Sequence, residues 1–165
     1  MIWAVMILGV LADRITKILA AGYLPYEVPV PIIGNIFSLE YIHNKGAAWS
    51  ILDGRVGLLL IITVAVTIFI AWLLHKTPKE QKFMRFSYAL LISGALGNII
   101  DRVYYGYVID FLRFPNFPVF NIADCCVTVG IALIIILTIK DMIDESKNNK
   151  NNKKPAQNGK KAKQK

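Results

Sequence analysis

The chain is poor in the residues from which most active sites are assembled. It has two histidines, His43 and His75, and two cysteines, Cys125 and Cys126, in 165 residues. The cysteines are neighbours inside an apolar stretch, without the spacing of a zinc site or of a disulfide framework. No GxSxG, HExxH, Walker or dinucleotide-binding signature occurs, and nothing recurs at a solenoid period. Charge is scarce as well, at 18% of residues, whereas 55% are hydrophobic and the mean hydropathy is +0.49. That balance is too apolar for a soluble domain of this length and marks a membrane protein.

Four apolar windows, residues 1–21, 56–74, 83–103 and 119–139, each approach the ~20 residues that an α-helix needs to cross ~30 Å of hydrocarbon. The first has no basic residue ahead of it and is interrupted by Asp13, Arg14 and Lys17, so it reads as a retained helix and not as a cleaved secretory signal. The expected fold is an all-α membrane protein: four transmembrane helices in one domain over residues 1–139, with a small β or amphipathic segment outside the membrane. That outer segment is 22–55, where the Pro/Gly punctuation of PVPIIGN precedes the alternating stretch IFSLEYIHN, residues 36–44.

Basic residues orient the chain. The loop HKTPKEQK, residues 75–82, holds three lysines and is followed by Arg85, whereas 22–55 holds only Lys45 and Arg55. By the positive-inside rule, loop 75–82 and both termini face the cytoplasm, and segments 22–55 and 104–118 face outward. Residues 140–165 carry 9 Lys/Arg against 3 Asp/Glu. This Lys/Asn-rich stretch lacks apolar periodicity and is expected to be a disordered cytoplasmic tail that touches anionic headgroups and not nucleic acid.

On this topology the polar residues converge. Asp13 and Lys17 share a face of the first helix at i, i+4; Asn98, Asp101 and Arg102 lie near the outer end of the third; Asn121 and Asp124 open the fourth. Ionisable groups at membrane depth cost ~2.5–3.5 kcal/mol each, so such a layer needs internal partners. Asp13 with Lys17, and Asp101 with its neighbour Arg102, also fit plain ion pairs at headgroup level. Gly94 and Gly97 fit close helix packing.

Asp110 and Asp124 differ, since neither has a basic residue one helical turn away; the nearest candidate is Arg113. Two carboxylates at an apolar boundary cannot both ionise easily, so the pair holds one proton near neutral pH. One member can then take a proton from water while the other gives one, the chemistry for hydrolysing a peptide bond without metal or covalent intermediate. His43 and His75 fall on opposite sides of the membrane, which argues against a shared metal or a histidine relay. A small ion-coupled carrier is the alternative, although the polar layer sits at one face and not at the midplane. A non-enzymatic scaffold leaves the carboxylates unexplained.

Four blocks, DRITK (13–17), NKGAAWS (44–50), GALGNIIDRVYYGYVIDF (94–111) and FPVFNIAD (117–124), together resemble the lipoprotein signal peptidase, or signal peptidase II, family over nearly all of residues 1–139. The resemblance implies an aspartic endopeptidase of the bacterial cytoplasmic (inner) membrane. It would remove signal peptides from diacylglyceryl-modified prolipoproteins as a monomer, without metal or cofactor, cleaving before the lipidated cysteine. Asp110 and Asp124 match the catalytic dyad. Asp13, Lys17, Asn44, Gly46, Asn98, Asp101, Arg102, Asn121 and Ala123 match supporting positions, of which Asn44, Asn98, Arg102 and Asn121 are expected to contact substrate or hold the dyad. The outer segment, with Tyr41 and Trp49, is expected over the site. Ser93 stands where many members have glycine, and the 13 residues between Asp110 and Asp124 make a shorter connection than in some relatives.

Overall fold

The structure is a computed structural model that describes residues 2–46 and 54–152. It is mostly helical: α1 (Ile2–Tyr23), α2 (Val56–Lys76), α3 (Lys82–Tyr105) and α4 (Ile122–Asn152), with three strands, β1 (Val30–Ile33), β2 (Phe37–Asn44) and β3 (Val108–Arg113). Among the described residues three helices, α2, α3 and α4 as far as Lys147, are long and apolar enough to cross a membrane.

Helix α1 has the length, at 22 residues, but Asp13, Arg14 and Lys17 lie within it. Its pattern is inverted relative to a soluble helix. Trp3, Ile7, Leu8, Leu11, Ile15 and Ile18 are exposed, while Met6, Asp13, Lys17 and Ala20 are buried along one stripe. Its apolar side therefore faces away from the protein and its charges lie inside.

Helix α3 is the hub, packing against α1, α2 and α4. Small residues make this close packing feasible, as expected at Gly94 and Gly97. A Cβ on Gly94 would come within 2.3 Å of the Ala123 carbonyl oxygen, and one on Gly97 within 2.5 Å of Asp13 Oδ2. Ser93 meets a glycine from the other side, since a Cβ on Gly9 would lie 2.5 Å from its hydroxyl. Helix α3 stops at Gly106, whose φ of 72° places it in the left-handed region that glycine tolerates best. By contrast α2 packs chiefly on α3, and Arg85 secures the C-terminal end of α2 by donating to the Leu74 and Thr77 carbonyls at 2.8 and 2.6 Å.

The β element expected within 22–55 is present, and it recruits a strand from segment 104–118. The sheet is antiparallel in the order β1-β2-β3, with β3 formed by VIDFLR from 104–118. Pairing of Ser38 with Arg113 and Leu39 with Leu112 changes register before Ile42 meets Asp110 and Asn44 meets Val108. One extra residue on β2 therefore bulges between Leu39 and Ile42. The bulge decides which face Asn44 occupies: without it Asn44 would lie on the opposite side of the sheet from Asp110.

Two boundaries differ from expectation. Helix α4 begins at Ile122 and not Val119, because Phe120 is held in extended pairing with Leu112 and Asn121 caps the helix. The helix also runs on to Asn152, so residues 140–152, expected in a disordered tail, are helical. A helix already nucleated in the apolar segment adds residues cheaply, and neither Pro nor Gly occurs between Gly130 and Pro155.

Candidate active site

The site is organised around the start of α4. Asn121 is the N-cap: its Oδ1 accepts the Asp124 N–H at 2.9 Å, and Asp124 Oδ2 accepts the Asn121 N–H at 3.2 Å. This is a reciprocal capping box in which the acidic partner is a candidate catalytic residue. The other end of the Asn121 amide serves Asp110, with Nδ2 2.6 Å from Asp110 Oδ1. One asparagine thus joins the two aspartates. Asn44, brought to the same face by the bulge, donates to Asp110 Oδ2 at 2.8 Å, and Asn98 donates to Asp124 Oδ1 at 2.8 Å.

Asp110 is 1% exposed. Its carboxyl is pushed up to about 7, chiefly by burial and then by the charge of Asp124, against the opposing pull of the Asn44 and Asn121 amides and of Lys17. Asp124 is half-buried and, with Asp110, lines a cavity of about 830 Å³. The polar end of that cavity is formed by Asn44, Asn98, Arg102, Asp110 and Asp124. The remainder is a mainly apolar trough between α2, α3 and α4, walled by residues such as Leu59, Val66, Ile70, Leu91 and Ile131.

Behind the aspartates lies a buried charge cluster. Lys17 Nζ is 2.9 Å from Asp13 Oδ2, 2.7 Å from Asp101 Oδ2 and 3.0 Å from Asn98 Oδ1, which uses all three ammonium donors. Asp13 Oδ1 accepts the Ala123 N–H at 3.0 Å, and Asp101 Oδ2 accepts the Ile109 N–H at 3.2 Å. Gly46 closes the front: its N–H donates to Asn44 Oδ1 at 2.9 Å and its carbonyl accepts from Arg102 at 3.4 Å. Every site residue expected from the sequence therefore belongs to one connected network, Ala123 through its backbone amide.

The partners are not all those expected. Asp101 does not pair with Arg102. Neighbours on a helix point ~100° apart, and Asp101 turns toward α1 to meet Lys17 and Arg14, the latter at 2.6 Å, while Arg102 faces the cavity. Arg113 turns from Asp110 to pair with Glu40 of β2. Arg14 was missed as a site residue although it lies in DRITK, because it sits off the Asp13–Lys17 face and its role depends on α3. Tyr41 packs with Tyr26 and donates to or accepts from His43 Nε2 at 2.7 Å; it does not line the cavity. Trp49 lies outside the described residues.

Helical, apolar on its outside and built around two carboxylates at the head of a trough, the chain takes its place among the membrane peptidases. It matches the family model described as signal peptidase (SPase) II over residues 5–140, and it belongs to that family. The lipoprotein signal peptidase of Halothermothrix orenii is 41% identical over 136 residues, covering 82% of this chain and 93% of that protein. The lipoprotein signal peptidase of Clostridium acetobutylicum is 42% identical over 151 residues, covering 88% and 97%. Among solved structures, a bacterial membrane enzyme determined by the in meso method at 2.3 Å resolution superposes with a TM-score of 0.81 at 35% identity, covering 86% of this chain and 88% of that one.

Proposed function

We propose that the chain is a four-span enzyme of the bacterial cytoplasmic membrane that removes signal peptides from diacylglyceryl-modified prolipoproteins, acting as a monomer through Asp110 and Asp124. The observation that carries this reading is one cavity with paired carboxylates at one end and an apolar trough at the other. A signal helix fits the trough between α2, α3 and α4, with the acyl chains of the modified cysteine left in lipid. The bond before that cysteine then reaches the polar end.

Helix α1 serves as the fourth span. Its 22 residues extend ~33 Å, its exposed face is apolar, and its three charges are neutralised inside the protein. With the basic loop 75–82 in the cytoplasm, both termini lie inside and the sheet and dyad lie toward the outer surface.

Hydrolysis uses the shared proton. The ionised aspartate takes a proton from water as the water oxygen attacks the scissile carbonyl carbon. The protonated aspartate hydrogen-bonds the developing oxyanion and then supplies the proton that the departing amine needs. The products are a signal peptide with a new carboxylate and a lipoprotein whose lipidated cysteine carries a free amino group. Asn44 and Arg102, on the cavity wall, offer donors to the peptide backbone.

The test is cleavage by the detergent-purified protein of a diacylglyceryl-modified prolipoprotein beside its unlipidated form, with products weighed by mass spectrometry. Cleavage before the modified cysteine alone is expected, and none by Asp110→Asn or Asp124→Asn. Equal cleavage of the unlipidated form would refute the lipid requirement, and near-normal turnover by either variant would refute the dyad.

A further inference from the structure

Three ion-pairing side chains of the network, Asp13, Lys17 and Asp101, are fully buried and none lines the cavity. They cannot meet substrate, yet burying charge is costly unless it is paired, and replacing such clusters by apolar residues often costs nothing. What distinguishes this cluster is where its remaining bonds end. Asp13 holds the amide of Ala123, the residue immediately before Asp124, and Asp101 holds the amide of Ile109, the residue immediately before Asp110. The third acceptor on Lys17, Asn98, donates to Asp124 itself. Arg14 repeats the tie between the two carboxylates, at 3.2 Å from Asp13 and 2.6 Å from Asp101.

We propose that Asp13 and Asp101, yoked through Lys17, are positioning residues that fix the separation of the two dyad aspartates by holding the backbone amide that precedes each. The proposal rests on the dyad reading above. Asp110 stands on a strand and Asp124 on a helix, joined by 13 residues. The Phe120 pairing with Leu112 closes that loop from the outer side; the yoke closes it from the inner side. Both amides are thereby anchored to a common ammonium by two-bond paths. A displacement of ~1 Å between reacting groups costs up to ~100-fold in rate, so the yoke acts on turnover and leaves substrate binding alone.

The experiment compares Asp13→Ala and Asp101→Ala with Asp13→Asn and Asp101→Asn, which keep an oxygen for the amide. It adds Gly97→Ala, whose Cβ would lie 2.5 Å from Asp13 Oδ2 and displaces that carboxylate without removing a charge. Turnover is expressed per folded enzyme, counted by binding of a non-cleavable lipidated peptide. The alanine variants are expected to lose ~100-fold in kcat with KM within about threefold, the asparagine variants to recover most of that loss, and Gly97→Ala to fall between. A role in stability alone would lower Tm and the folded fraction while kcat per folded molecule stayed at the wild-type value, and that outcome overturns the proposal. If the alanine variants do not fold, an unchanged kcat in Gly97→Ala overturns it. Asp110→Asn and Asp124→Asn run alongside: activity in these defeats the dyad, whereas silence in these with wild-type kcat in the Asp13 and Asp101 variants defeats only the yoke.

Discussion

Asn121→Ala separates the two services that this asparagine performs. Its Oδ1 caps α4, and its Nδ2 donates to Asp110. Loss of the cap costs ~1 kcal/mol at any pH. Loss of the second bond is felt only when Asp110 is ionised, because the Asn121 amide favours the charged carboxylate and holds its pKa down. A hydrogen bond to a charged group contributes ~1.5–3 kcal/mol, and ~1.4 kcal/mol corresponds to one pH unit. Wild-type Asp110 gives up its proton at about pH 7, so activity that requires one proton on the pair falls as pH rises through that value. In Asn121→Ala this alkaline limb should move up by ~1–2 pH units, together with a lower maximum. Initial rates of cleavage of a lipidated peptide, measured in detergent from pH 5 to 9, would show it. Thermal unfolding should register a loss of ~1 kcal/mol at pH 5 and a larger one at pH 8. A limb that stayed in place or moved down, or an equal loss of stability at both pH values, would refute the assignment of Asn121 as a donor to ionised Asp110.

Asp110→Asn should gain stability while losing activity. Burial lifts the carboxyl from 3.8 to about 7, so the folded wild type is favoured below pH 4 and that contribution is lost as pH rises through 7; the span is worth on the order of 4 kcal/mol. The variant should therefore melt above the wild type at pH 8, with the gap closing toward pH 4. Thr63→Trp, in the trough, should raise KM for lipidated substrate severalfold and leave kcat nearly unchanged, as steady-state kinetics would show. Gly94→Val should prevent α3 from reaching α4, since even a Cβ meets the Ala123 carbonyl at 2.3 Å; the expected result is loss of the monodisperse peak in size-exclusion chromatography.

The apolar windows were legible in the sequence because they rest on local composition, and the four blocks were legible through their resemblance to a known family. The pairing of Asp13 with Lys17 was legible from local spacing, as an i, i+4 contact within one helix. What lay hidden depends on contacts distant in sequence. VIDFLR looks like a loop beside Pro115 and becomes a strand only because β2 offers it an edge. The bulge that turns Asn44 toward Asp110 is a property of two strands and has no local signature. Arg14 and the Ile109 amide find their partners through α1 and α3 packing side by side, and so Asp101 takes charges from another helix in preference to its own neighbour. The start of α4 moved by three residues because an asparagine cap and an extended Phe120 outweigh the apolar character of Val119 and Phe120.

The pairing inside α1 bears on how the chain is made. During synthesis α1 emerges roughly 80 residues before α3 exists to receive it. Asp13 meets Lys17 one turn along its own helix, so the nascent segment carries half of its counter-charge with it, one acid against the two bases Arg14 and Lys17. Asp101 arrives later to a site where Lys17 and Arg14 already wait, and its docking completes the charge balance of the cluster.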